Sequence, residues 1–151
     1  MSIPETLASD REAARKAHDE KKLSILQLAL SALKNEQIAL GRDLSTEEAQ
    51  AVLRRQVKQL QDALADFRSG GRDDLAAAAE GEIAILETYL PEPLSDEELE
   101  AIARRVIAAA GASSPGDVGR VMGSVIKEVK GQADGGRVRA IVSRLLAGGQ
   151  A

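Results

Sequence analysis

His18 is the only histidine in the chain, and there is no cysteine. A general base could be built on His18. Without a second histidine or a thiol beside it, however, there is neither a nucleophile–base pair nor a metal-ligating cluster. Its neighbours Asp19, Glu20 and Lys21 mark a polar, solvated turn. Ser113-Ser114 resembles a serine nucleophile only superficially. The next lysine along the chain is Lys127, and Ser114-Pro115-x-Asp117 reads as a helix N-cap, a proline at the first helical position and an acid at the third. No Gly-x-x-x-x-Gly-Lys-Ser/Thr or strand-linked Gly-x-Gly-x-x-Gly is present to cradle a nucleotide. The residues therefore predict no catalytic group, no metal and no cofactor.

What remains is binding chemistry, and it lies between Pro115 and Lys130. At about 100° per residue, Val118, Val121, Met122, Val125 and Val129 fall on one arc. Gly116, Gly119, Arg120, Gly123, Lys127 and Lys130 fall on the opposite one. Each interior glycine costs roughly 0.5–1 kcal/mol relative to alanine, so their placement needs a reason. Close approach of a nucleic-acid backbone, with the cations neutralising phosphates, is one. Close packing of another helix is the other. Arg137 and Arg139 follow just beyond the next loop. The candidate RNA-binding set is Gly119, Arg120, Gly123, Lys127, Lys130, Arg137 and Arg139. One Tyr, one Phe and no Trp leave almost nothing for base stacking, so readout would be of shape and phosphate.

The elements that must position these residues are all helices. A first helix is expected over about Pro4–Ala17. A second runs from about Lys21 to Leu40, its stripe Leu23, Leu26, Leu30, Leu33 and Gln37/Ile38 near-heptad in spacing. Ser45-x-x-Glu48 is a capping box that opens a third helix, and Gly70-Gly71 breaks it. A fourth runs from about Arg72 to Tyr89. Two prolines in Pro91-Glu92-Pro93 forbid a continuous helix and mark a module boundary. Ser95-x-x-Glu98 opens the next helix, which ends at Gly111. Two more follow, over Pro115–Lys130 and about Asp134–Leu146, and the tail Gly148–Ala151 is expected to fray. The expected fold is all-α: an antiparallel bundle of about four helices over residues 1–91, then a small three-helix domain over residues 94–148.

Composition agrees. Apolar residues make up 44% but aromatics only 1%, so the core must be aliphatic. No apolar run approaches the roughly 20 residues that span a bilayer, no signal peptide is visible, and cysteine is missing. These features predict a cytoplasmic protein without a membrane partner. The net charge of −4 is uneven: residues 101–151 carry eight Lys+Arg against three Asp+Glu, which points to an anionic partner.

Several segments together resemble the GatB/YqeY family, in particular its small stand-alone YqeY-like members. They are Leu23-Ser24-Ile25-Leu26-Gln27 with Ala32-Leu33-Lys34-Asn35-Glu36, then Phe67 through Arg72-Asp73-Asp74-Leu75, and Glu87-x-Tyr89-Leu90-Pro91-x-x-Leu94-Ser95. Gly119-Arg120-Val121-Met122 and Lys130-Gly131-Gln132-Ala133-Asp134 add to them. The C-terminal stretch is similar to the tail domain of the B subunit of tRNA-dependent amidotransferase. The resemblance implies a tRNA-binding or tRNA–enzyme adaptor module without the domain that activates substrate. The family's carbon–nitrogen ligase label, with glutamine as amido donor, would be inherited from the larger enzyme. A protein–protein adaptor is the alternative that the glycine-lined helix leaves open. The oligomeric state is left open too.

Overall fold

The computed structural model describes residues 1–148, and among them every regular element is helical. The chain divides into two compact units, Met1–Pro91 and Glu92–Ala151.

In the first unit, α1 (Ile3–Lys16) opens on a Ser2/Glu5 capping box. His18 follows in a left-handed conformation, φ 58°, and Asp19 caps α2 (Glu20–Leu40) through the Lys22 amide. Gly41 ends α2 at φ 71°, a conformation that glycine adopts without steric penalty. The expected Ser45/Glu48 box opens α3 (Thr46–Ser69), and Gly70-Gly71 closes it. Asp73 and Asp74 occupy the first turn of α4 (Asp73–Glu87), at the positive end of its dipole.

The core of this unit is built from Leu7, Ile25, Leu26, Ala29, Leu33, Val52, Leu53, Ile83 and Leu86. Burying each large aliphatic side chain contributes roughly 1.5–3 kcal/mol. Two expectations need correction. Ile38 is expected on the buried stripe of α2 but is 68% exposed, because at 100° per residue it falls about 120–140° round the helix from Leu26 and Leu33. And α4 stops at Glu87, so Tyr89 lies beyond it. Tyr89 packs half-buried on the core, and its hydroxyl donates to the Asp10 carboxylate. Burial, and then that carboxylate, push the phenol above its ordinary range.

The second unit contains α5 (Asp96–Ala110), α6 (Val118–Val129) and α7 (Gly135–Leu146). Ser95/Glu98 caps α5 and Gly111 ends it. The segment expected to begin α6 at Pro115 is instead a 3-10 turn, Pro115–Asp117, and regular α geometry starts at Val118. Asp134 caps α7 through the amides of Gly136 and Arg137. The core is Leu99, Ala103, Val106, Val121, Val125, Val129, Val138, Ile141, Val142 and Leu146. The tail residues 149–151, expected to fray, lie outside the described residues.

Candidate nucleic-acid interface

Helix α6 has the two faces its sequence implies. Val121, Val125 and Val129 are fully buried, with Val118 and Met122 packed beside them. Gly119, Arg120, Gly123, Lys127 and Lys130 are exposed. A Cβ built on Gly119 or Gly123 meets nothing within 4 Å. Helix packing inside the unit therefore does not explain these glycines, and their backbone lies open to an incoming partner.

The loop that follows turns sharply. Lys130 is left-handed at φ 50° and Gly131 at φ 78°, so the reversal begins at the last residue of the expected helix. A lysine in this region is uncommon. The turn is closed by the Gln132 amide donating to the Val129 carbonyl at 2.8 Å. The Gln132 carbonyl in turn accepts from the Leu94 amide at 2.8 Å.

The cations fall into two groups. Arg120 donates from Nη1 to the Ala110 carbonyl at 2.9 Å, serving the C-terminal end of α5, and from Nη2 to Asp117 Oδ1 at 3.2 Å. Arg137 is half-buried. Its guanidinium donates to Asp96 Oδ1 at 2.8 and 3.0 Å and to the Leu94 carbonyl at 2.7 Å. It thus pins α7 to the segment entering α5. Arg144 and Arg104 share Glu100, at 2.9 and 2.6 Å, and Arg105 pairs with Glu128. Hydrogen bonds from Arg104, then Arg144, hold Glu100 below its ordinary carboxylate range. Asp117 is lowered chiefly by the Ser113 and Ser114 amides, with Arg120 adding to them. Ser114 thus belongs to the cap, as its sequence context suggested.

Lys127 and Arg139 stand apart. Both are exposed, and neither forms an ion pair among the described residues. On α7, at 100° per residue, Arg139 lies about 150° from the Arg137 and Arg144 flank that faces α5. The short 130–134 loop brings the end of α6 and the start of α7 together. Lys127 lies in the last turn of α6, Lys130 just beyond it, and Arg139 in the second turn of α7.

The folded unit changes the charge picture drawn from residues 101–151. Its boundary at Glu92 returns Glu92, Asp96, Glu97, Glu98 and Glu100 to the basic segment. Eight Lys+Arg then balance eight Asp+Glu. The positive excess of residues 101–151 does not belong to the whole unit. The cross-helix pairs that neutralise the arginines left no local signal in the sequence. Asp96–Arg137 and Glu100–Arg144 join positions more than forty residues apart.

Among the described residues, no group of three or more His, Cys, Asp or Glu is placed to hold a metal ion. No helix there is long and apolar enough to cross a membrane. In the first unit, a groove of about 330 Å³ is lined by Glu20, Lys21 and Ser24 of α2 and by Ala77, Ala78, Gly81, Glu82 and Ile85 of α4.

A family model described as Yqey-like protein matches residues 4–146. Among curated proteins the chain is similar to "Altered inheritance of mitochondria protein 41, mitochondrial" of Saccharomyces cerevisiae. In strains YJM789 and S288c the identity is 33% over 93 residues, covering 60% of this chain and 50% of the yeast protein. The chain thus matches about half the length of the curated relatives.

Proposed function

The chain belongs to the YqeY-like protein family, and from that premise we propose that its C-terminal unit is a binding module for tRNA or a tRNA-bound enzyme, with no active site of its own. The observation that carries the reading is the exposed backbone at Gly119 and Gly123 on the same face of α6 as Lys127 and Lys130, with Arg139 exposed on the following helix. Small residues allow a phosphate backbone close, and the cations neutralise it. Arg120 and Arg137 support this surface by fixing α5, α6 and α7, and contribute less directly to the contact.

Few cations are available, so the electrostatic signature is modest. Two to three phosphate contacts give a slope of log affinity against log salt near about −2. Titration of the purified chain with tRNA at two salt concentrations measures it. The charge reversal Lys127→Glu, Lys130→Glu, Arg139→Glu is expected to weaken binding by on the order of tenfold or more at low salt. Binding that is absent at low salt, or untouched by the reversal, removes the reading. Glutamine-dependent amidation of charged tRNA by the chain alone would show that it is an enzyme.

The 40% exposure of Ile126 on the same helix favours a second reading, a protein partner docking on α6. A partner captured on the chain that survives nuclease treatment distinguishes it. The cytoplasm is the proposed compartment, which cell fractionation checks. "Mitochondrial" in the yeast relatives' name describes those proteins.

A further inference from the structure

Helix α2 carries two heptad seams, and its own unit covers only one. Ile25, Leu26, Ala29 and Leu33 are buried. On the far side Ser24, Leu28, Ser31, Asn35 and Ile38 follow one another at steps of four, three, four and three residues, and all five are exposed. Leu28 is 58% and Ile38 68% exposed, which makes them two of the chain's few exposed large aliphatic residues. The helix carries no charge from Leu23 to Leu33 on any face, in a chain with 29% charged residues. An uncharged stretch of about three turns, with large aliphatic residues on both sides, suits a helix covered on both sides over that stretch.

We infer that this outer seam pairs with the same seam of a second copy, antiparallel about a two-fold axis at Ser31. The direction follows from size and charge. Antiparallel pairing sets Ser24 level with the partner's Ile38, and Leu28 between the partner's Ser31 and Asn35, so each large side chain meets a small or narrow one. Lys34 then lies beside the partner's Gln27. Parallel pairing would set Lys34 against Lys34 and Ser24 against Ser24, which gives repulsion and a gap. The α2–α4 groove supports the same register. Beside Ser24 its floor is Ala77, Ala78, Gly81 and Ile85, rimmed by Glu20, Lys21 and Glu82, at the level where the partner's Ile38 arrives. An isologous contact of this kind closes on itself and stops at a dimer. A single helix pair buries less than the roughly 1,200 Å² of standard interfaces, so the dimer is weak and concentration-dependent.

Light scattering or sedimentation of the full chain, from low micromolar to near-millimolar, is expected to show the mass rising toward twice the monomer. Ile38→Lys sits on an exposed site and is expected to leave the helical circular dichroism unchanged. It should raise the dimer dissociation constant roughly tenfold or more. Because the chain has no cysteine, single cysteines read the register directly. Ser31→Cys should cross-link to itself on mild oxidation. Ser24→Cys should not, since its two copies stand about 21 Å apart along the axis. It should link to Ile38→Cys when the two variants are mixed. A monomer at every concentration, as a seam covered by the chain's own C-terminal unit would give, overturns the inference. So does a dimer indifferent to Ile38→Lys, or a Ser24→Cys self-link faster than that of Ser31→Cys.

Discussion

The two units use the same arginine–carboxylate pins between helices but pack different cores. In Met1–Pro91 Arg15–Glu12 and Lys58–Asp62 each lie within one helix, while Arg55–Glu36 joins α3 to α2 and Arg68–Glu80 joins α3 to α4. The helices there are long, and two of the eleven buried core residues are valine, Val52 and Val57. In Glu92–Ala151 Arg104–Glu100 and Arg120–Asp117 are local, and three further pairs cross between helices. Arg105–Glu128 joins α5 to α6, and Arg137–Asp96 and Arg144–Glu100 join α7 to α5. Six of its ten buried core residues are valine. Valine loses rotamer freedom in a helix and fills less volume than leucine. Short helices with a thin core gain from cross-helix pins. The smaller unit uses arginine to hold itself together and leaves Lys127 at its surface.

That division of labour can be broken by one pair of variants. Arg137→Ala is expected to cost about 1–2 kcal/mol, because it removes a half-buried guanidinium from Asp96 and the Leu94 carbonyl. Lys127→Ala should stay within about 0.5 kcal/mol, as an exposed side chain without an ion pair. Urea unfolding of both measures the contrast, and equal costs would erase it. Gly123→Ala sharpens the point with a smaller change of opposite sign. Its added methyl meets nothing, so the variant should gain about 0.5–1 kcal/mol in thermal unfolding while losing tRNA affinity.

Much of the local architecture was legible in the sequence. Ser45/Glu48, Ser95/Glu98 and Gly41, Gly70 and Gly111 act through neighbours three or four residues away, so spacing alone reveals them. The Ser2/Glu5 box carries the same three-residue signature at the start of α1. The partition of the cations was not legible. Whether Arg137 meets a phosphate or Asp96 depends on a contact across forty-one residues. Nor does a heptad spacing say which of two seams faces inward, and Ile38 was assigned to the wrong one.

The smallest effect expected is a titration in the first unit. Arg42 grips the Glu48 carboxylate at 2.7 and 2.8 Å, and the Ser45 amide adds to it. Glu48 is thereby lowered from 4.5 to about 2. A depressed folded value means that its contribution to stability is complete above 4.5 and is lost as pH falls through about 2. NMR titration should find Glu48 ionised at pH 3, and Arg42→Ala should bring it back toward the ordinary range.

The placement of Tyr89 and Phe67 has an optical consequence. With no tryptophan, both rings of the chain lie within residues 1–91. Near-ultraviolet absorption and dichroism thus report on the N-terminal unit alone, and the C-terminal unit is spectrally silent there. A nucleobase chromophore bound to that silent half would be read against no aromatic background of its own.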